Sequence, residues 1–490
     1  MVTPGLLAFP RQDVIAGVVV FLVAVPLCLG IAIASGVPPV AGLVAGVVGG
    51  LVVPLLSRSP LSVTGPAAGL ASIVVYELNR LGGLSAFLAA VVIAGFVQIG
   101  LGLLRTGRFS ALVPSAAIKG MLAAIGISIV LKQLPVAFGV AGAVGDIPSQ
   151  LSFGPTLVAL ISLVILVAWP KSPLRRLTFL PASLVVVVLA TVLAWLFQGG
   201  PLELTSSQFV GIPGGGVAGL WAALTHPEPS AFLRVDVWVA GVTIAIVGSI
   251  ETLLSVQAVD RLDPLRRRSP PDRELVAQGV ANALSGLLGG LPVTAVIVRS
   301  SANVAAGARG RLSAFVHGVL LLLAVVFGAS LLNHVPLACL AAILIVVGFN
   351  LAKPSLFAQQ GRLGRDQLVP FIATIAAVLA LDLLKGVVVG VVIAVVFALH
   401  QNNAAAIKRS VDDDGTLRLR FRRDATFLTR PQLLAELDSL SAGSKVVVDT
   451  GGAYVDLDVK ETLAWFVDDA ASRQILARIE GPEPAASGGA

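Results

Sequence analysis

Apolar residues fall along this chain in runs of about 20, the length that crosses a bilayer core of about 30 Å as a helix. Twelve such runs lie near residues 13–34, 37–57, 83–104, 110–131, 154–170, 178–198, 236–258, 273–290, 311–331, 335–352, 367–384 and 386–400. Two further apolar pieces, 66–78 and 293–304, hold about 12 residues each, or about 18 Å of helix. Each follows a stretch broken by Gly and Pro, Leu61-Ser-Val-Thr-Gly-Pro66 in one case and Gly289-Gly-Leu-Pro292 in the other. They could be re-entrant hairpins or half-helices completed by extended chain.

Charge placement decides between those two. If both short pieces cross and the N-terminus is cytoplasmic, seventeen Lys and Arg residues fall on inside loops, among them Arg58, Arg105, Lys171, Arg266 and Arg311. Only Arg80, Lys132, Arg234 and Lys385 are then left outside. Basic residues concentrate on the cytoplasmic side of membrane proteins, and no other parity keeps these loops together. The sequence therefore predicts an all-α polytopic membrane protein of about fourteen transmembrane segments with both termini cytoplasmic. Segments 3 and 10 are the short ones, which suggests a 7+7 inverted repeat: 1–200 as the first repeat, 201–235 as a connecting loop and 236–400 as the second.

Composition agrees. Apolar residues make up 56% of the 490, charged residues 12%, and mean hydropathy is +0.94, values that exclude a soluble, disordered or collagen-like chain. The 51 glycines and 6% aromatics point to close helix packing through small residues, as at Gly42, Gly46 and Gly50. The net charge of +7 divides unevenly: 23 Lys and Arg against 13 Asp and Glu up to His400, then 11 against 14. The surplus lies entirely in the membrane part, where it marks orientation and not a nucleic-acid partner. Cys28 and Cys339 sit alone in apolar runs and are expected to be core thiols. The first run is too long for a signal peptide and is expected to stay as a helix.

Parity also fixes the chemistry of the short segments. Segment 3 enters from the cytoplasm as extended chain and segment 10 from outside, so their helix N-termini should face each other near the midplane. Two such ends offer free N–H groups and about half a positive charge each, a natural seat for an anion. The candidate residues are Thr64, Gly65, Pro66, Ala67 and Ala68, with Gly69 as a further donor, and Thr294, Ala295, Val296 and Arg299. Pro66 suits a first helical turn, where its missing N–H costs nothing. The plain alternative is that these Pro and Gly residues kink ordinary helices. Glu251 lies inside an otherwise apolar span and could carry a coupling H⁺, or help hold Na⁺ together with Thr294; no other cofactor is expected. A structural Glu251–Arg299 pair is the bland alternative. Asp382 with Lys385 reads as a local pair, and Lys119 and Lys132 as snorkelling residues. His226, His317, His334 and His400 have no metal-ligand spacing, and no P-loop or GxSxG elbow occurs, so no enzyme is expected.

Beyond about residue 411 the pattern changes to a small α/β unit: strands at 416–421, 445–449 and 475–479, helices at 430–440 and 457–473, with 481–490 read as a disordered tail.

The motifs Asp13-Val-Ile-Ala-Gly17, Val25-Pro26-Leu27, Gly36-Val-Pro-Pro39, Ser62-Val-Thr-Gly-Pro66-Ala-Ala-Gly69, Ser249-Ile-Glu251-Thr-Leu-Leu-Ser255, Glu274-Leu-Val-Ala-Gln278-Gly and Thr294-Ala-Val-Ile-Val-Arg299-Ser-Ser-Ala-Asn303 occur in order along residues 10–400. This series resembles the SulP anion transporters, which include the eukaryotic SLC26 proteins. The resemblance implies a core domain holding the anion between segments 3 and 10, a gate of segments 5–7 and 12–14, and elevator-like secondary transport, often by dimers in the cell inner (plasma) membrane. It places the family's coupling carboxylate on Glu251 and its anion-facing basic residue on Arg299. Val44 and Ala295 depart from the family's usual aromatic and glycine. The tail, 411–480, resembles a shortened cytoplasmic STAS domain, with Tyr454-Val-Asp-Leu-Asp458 where relatives can carry a phosphorylated serine. A small inorganic anion, sulfate or bicarbonate, is the expected substrate. A nucleobase transporter of similar fold, a passive anion channel and a membrane scaffold are the rivals.

Overall fold

A computed structural model of the chain describes residues 8–107, 114–173 apart from 141 and 143, 181–381 apart from 215, 383–404, and 407–481 apart from 413, 423, 427 and 428. Asp382 and the tail from 482 onward therefore lie outside the described residues. Segments 1–7 are α1 (Pro10–Ala34), α2 (Pro39–Leu56), α3 (Ala71–Leu81), α4 (Leu84–Leu103), α5 (Ser115–Ala137), α6 (Phe153–Ala168) and α7 (Ala182–Leu196). Segments 8–14 are α8 (Val235–Leu262), α9 (Pro271–Leu287), α10 (Ile297–Ala305), α11 (Leu312–Phe327), α12 (Leu337–Leu351), α13 (Arg365–Ala380) and α14 (Leu383–Ala404). Proline opens α1, α2 and α9, where a missing N–H is harmless. Large apolar side chains such as Phe96, Val164, Trp195 and Phe327 stand exposed on the outer faces of these helices, a surface that suits lipid and not water.

The packing itself carries the repeat. Exchanging each segment n for n+7 turns the α4–α9 contact into the α11–α2 contact, and the α4–α8 contact into the α11–α1 contact. The α2–α9 and α5–α12 contacts map onto themselves. Glycine permits the closest of these approaches. A Cβ at Gly42 would run into the Cys28 carbonyl oxygen, and one at Gly50 would lie 2.6 Å from Gly318 Cα. On the α4–α9 contact a Cβ at Gly279 would meet the Gly95 oxygen at 2.6 Å.

The short segments differ from expectation in where helix begins. Thr64–Pro66 is a strand, β1, and Val293–Ala295 is its antiparallel partner, β2, with Thr64 opposite Ala295, Gly65 opposite Thr294 and Pro66 opposite Val293. Pro66 thus closes a strand and does not open a helix. A 3₁₀ turn at Ala68–Leu70 leads into α3, and α10 starts only at Ile297. The reason is hydrogen-bond demand: extended chain inside a membrane must be paired, and each broken segment pairs with the other.

The chain divides into two compact units, Met1–Leu363 with Pro370–Gly390, and Gly364–Val369 with Val391–Ala490. The second contains a four-stranded sheet in the order β3 (Ile407–Val411), β4 (Leu417–Phe421), β5 (Lys445–Asp449), β6 (Leu476–Glu480). β3 is antiparallel to β4 and the rest are parallel. Helices α15 (Arg430–Asp438) and α16 (Leu457–Ala470) supply Leu433, Leu463 and Phe466 to a core with Leu419, Val446 and Val448. β3 is absent from the sequence-based expectation because Ile407-Lys-Arg-Ser-Val411 is a largely exposed edge strand, too polar for an alternating pattern to show.

Candidate functional site

The crossing of β1 and β2 is held by side chains from the helices around it. Asn282 on α9 works as an extra strand edge: Val293 N–H donates to its Oδ1 at 2.6 Å, and its Nδ2 donates to the Val293 carbonyl at 3.0 Å. The same Nδ2 donates to Gln98 Oε1 at 2.7 Å, and Gln98 Nε2 donates to Ser249 Oγ at 3.3 Å. Gln278 Nε2 donates to Thr64 Oγ1 at 2.7 Å and to Glu274 at 2.9 Å, and Ser57 bonds the other Glu274 oxygen. From α10, Ser300 Oγ accepts the Val63 N–H at 2.9 Å and Asn303 Nδ2 donates to the Leu61 carbonyl at 3.0 Å. Apart from Thr64, none of these polar residues is given a role by the sequence. Their signal was there, a string of amides and hydroxyls on otherwise apolar helices, but it does not say which backbone they meet.

The predicted donors divide at this crossing. Val296 N–H donates to the Val63 carbonyl at 3.0 Å, and Ala295 N–H to Thr252 Oγ1 at 3.3 Å. Their amides are thus already engaged. The donors that precede any intrahelical acceptor are those of Ala68 and Gly69 on one side and of Ile297, Val298 and Arg299 on the other. Ala68, Gly69, Val296, Ile297, Val298 and Arg299 all line one cavity of about 380 Å³, so the two helix ends do converge. Thr64, Gly65, Pro66, Thr294 and Ala295 form the paired strands behind it and are not among its lining residues.

Glu251 lines the same cavity, and its carboxylate lies so close to segment 3 that a Cβ at Gly69 would sit 2.5 Å from Oε1. Arg299 is fully buried; Nη2 donates to the Pro66 carbonyl at 3.4 Å, while Nε and Nη1 have no hydrogen-bond partner. A Cβ at Gly65 would collide with Nη1, so only glycine admits the guanidinium there. No Glu251–Arg299 ion pair exists among the described residues, which removes the structural-pair alternative. Thr294 Oγ1 is buried without a partner, and its methyl faces Gly248, one turn before Glu251. No group of three or more His, Cys, Asp or Glu side chains able to hold a metal occurs among the described residues. A Na⁺ would have to rely on Glu251, hydroxyls and carbonyls.

Along α8 the cavity runs from Glu251 to Arg261, ten residues or about 15 Å towards the face bearing the basic loops. Lys119, expected to snorkel to the interface, lines this cavity from α5. A second cavity of about 360 Å³ lies further along segment 3, lined by Ser72, Tyr76, Glu77, Arg80, Ser128, Thr243 and Lys385 among others. Arg80 pairs there with Glu77 at 2.7 Å. On segment 3 the first cavity ends at Gly69, in the 3₁₀ turn, and the second begins at Ser72 on α3; on α5 the limits are Ile125 and Ser128. The two are separated by about one helical turn.

Fold and site together define an inverted-repeat membrane protein with two discontinuous helices meeting at its centre. The chain belongs to the sulfate permease family, whose model matches residues 11–374. It is 31% identical over 407 residues to the YvdB protein of Bacillus subtilis strain 168, covering 81% of this chain and 74% of that one. It is 27% identical over 430 residues to the bicarbonate transporter BicA of Picosynechococcus, covering 84% and 74%. Among solved structures, the transmembrane domain of a cyanobacterial BicA superposes with TM-score 0.69 at 26% identity, over 78% of this chain and 98% of that one. SLC26A9 superposes with TM-score 0.78 at 17% identity, over 97% and 85%, and so shares the fold.

Proposed function

We propose that this protein is a secondary active transporter of a small inorganic anion, sulfate or bicarbonate, driven by H⁺ or Na⁺ through Glu251. It works as a homodimer in the cell inner membrane with both termini cytoplasmic. The observation that carries the proposal is the convergence of two opposed helix N-termini on one cavity backed by a buried guanidinium that no carboxylate balances. Free N–H groups, helix dipoles and Arg299 all favour negative charge at that point, in a low-dielectric setting where each counts for more than in water. Glu251 at the cavity wall opposes an anion when ionised, so taking up a proton or Na⁺ would favour anion binding, and by linkage the reverse.

The one-turn barrier between the two cavities supports alternating access over an open pore. A displacement of the core by about 5 Å, one turn of helix, would carry the site from one cavity to the other. The nucleobase rival is disfavoured by α10, whose only ionisable side chain is Arg299. The test is uptake of labelled sulfate and bicarbonate into proteoliposomes, with and without Na⁺ and pH gradients. Saturable uptake that one gradient accelerates, with Glu251→Gln insensitive to that gradient, is expected. Failure to move either anion would sink the proposal, and flux that never saturates would favour a channel.

A further inference from the structure

We propose that Lys119 forms an anion-capture subsite in the cavity on the basic-loop face, serving the anion only while the site is open to that face. The inference rests on the anion-transport reading above. The cavity's charged lining is Lys119, Glu251, Arg261 and Arg299. These four differ in what they can do. Arg299 is fully buried at the strand crossing, Glu251 opposes an anion when ionised, and Arg261 stands exposed at the mouth. Lys119 is half-buried one turn in from Ser115, on the wall made by α5, and no ion pair or hydrogen bond occupies it among the described residues. Apart from Ser115, the remaining α5 lining, Ile118, Met121, Leu122 and Ile125, is apolar. An ammonium on such a wall, with no carboxylate paired to it, projects its field into the cavity.

The placement also separates the two walls. Glu251, Arg299 and both helix ends belong to segments 3, 8 and 10, while Lys119 belongs to segment 5, which packs on segment 12 in the other group of helices. The second cavity, further along segment 3, is lined on α5 only by Ser128. An anion carried there leaves Lys119 behind. Lys119 therefore stabilises the bound state on one side and not the other, giving the carrier unequal affinities on its two faces.

The experiment compares wild type, Lys119→Gln and Lys119→Arg in inside-out and right-side-out vesicles with labelled sulfate and bicarbonate. Lys119→Gln is expected to raise the half-saturating concentration about tenfold on the basic-loop face and to leave the other face within about twofold. With no H⁺, Na⁺ or voltage gradient, net flux must vanish at equal anion concentrations, so the maximal rate from the affected face rises in step, whereas a merely structural defect would lower it. Lys119→Arg retains wild-type values. The difference between wild type and Lys119→Gln shrinks as ionic strength rises from about 0.01 M to about 1 M, where the Debye length falls from about 30 Å to about 3 Å. An unchanged half-saturation in Lys119→Gln, equal shifts on both faces, or an arginine variant as impaired as the glutamine one each overturns the subsite. Those results leave the transport proposal standing if wild-type uptake is saturable; a wild type that moves neither anion overturns both.

Discussion

Arg299 carries a charge that no acidic side chain in contact with it balances, and two of its nitrogens are buried without partners. Burying a charge in this way costs several kcal/mol after relaxation, which a protein selected for stability alone would avoid. Arg299→Met, which keeps the length and removes the charge, is therefore expected to leave the fold intact and to raise its stability by about 1–3 kcal/mol. Anion uptake should fall at the same time. Thermal unfolding of the purified protein beside uptake checks both, and a fall in melting temperature would show that the guanidinium is structural. Arg299 and Glu251 were both legible in the sequence, because an ionisable residue in an apolar run stands out. Where the guanidinium points was not, because Gly65 admits it from a segment more than 200 positions away.

At the scale of elements, the crossing depends on pairing that no local pattern encodes. β1 and β2 are three residues each, far too short to be stable alone. Asn282 meets both backbone groups of Val293, Ser300 accepts from the Val63 N–H, and Asn303 donates to the Leu61 carbonyl. Asn282→Leu would leave a buried N–H and C=O unpaired, at about 1–3 kcal/mol for each. Its melting temperature should drop, and anion added to the purified protein should no longer raise it. A leucine variant as stable as the parent would mean the crossing holds without its amide edge. The lengths of the spans and the shortness of segments 3 and 10 could be read from hydropathy. The starts of the two half-helices could not, since Pro66 is equally suited to a first helical turn or to the end of an edge strand.

For the whole molecule, two compact units with separate cores imply two separable unfolding events. Phe466→Ala removes a buried ring from the small α/β core and should cost about 3–5 kcal/mol there, most of what a unit of this size can have. Limited proteolysis of membranes holding this variant is expected to remove the C-terminal unit quickly while the membrane unit survives. Coordinate loss of both would show that they fold as one.

Apolar run length, the side taken by basic loops and the alternation of the tail are local or additive properties, each fixed by transfer free energy residue by residue. The sequence by itself therefore determined the fourteen segments, their inverted halves, the broken third and tenth, and the α/β unit that follows. Tertiary structure decided which groups meet: β1 with β2, Asn282 with Val293, Arg299 with Gly65 and Lys119 with the cavity. Those contacts rest on hydrogen bonds, steric fit and cavity shape between residues distant in sequence, whose geometry exists only once the helices have packed.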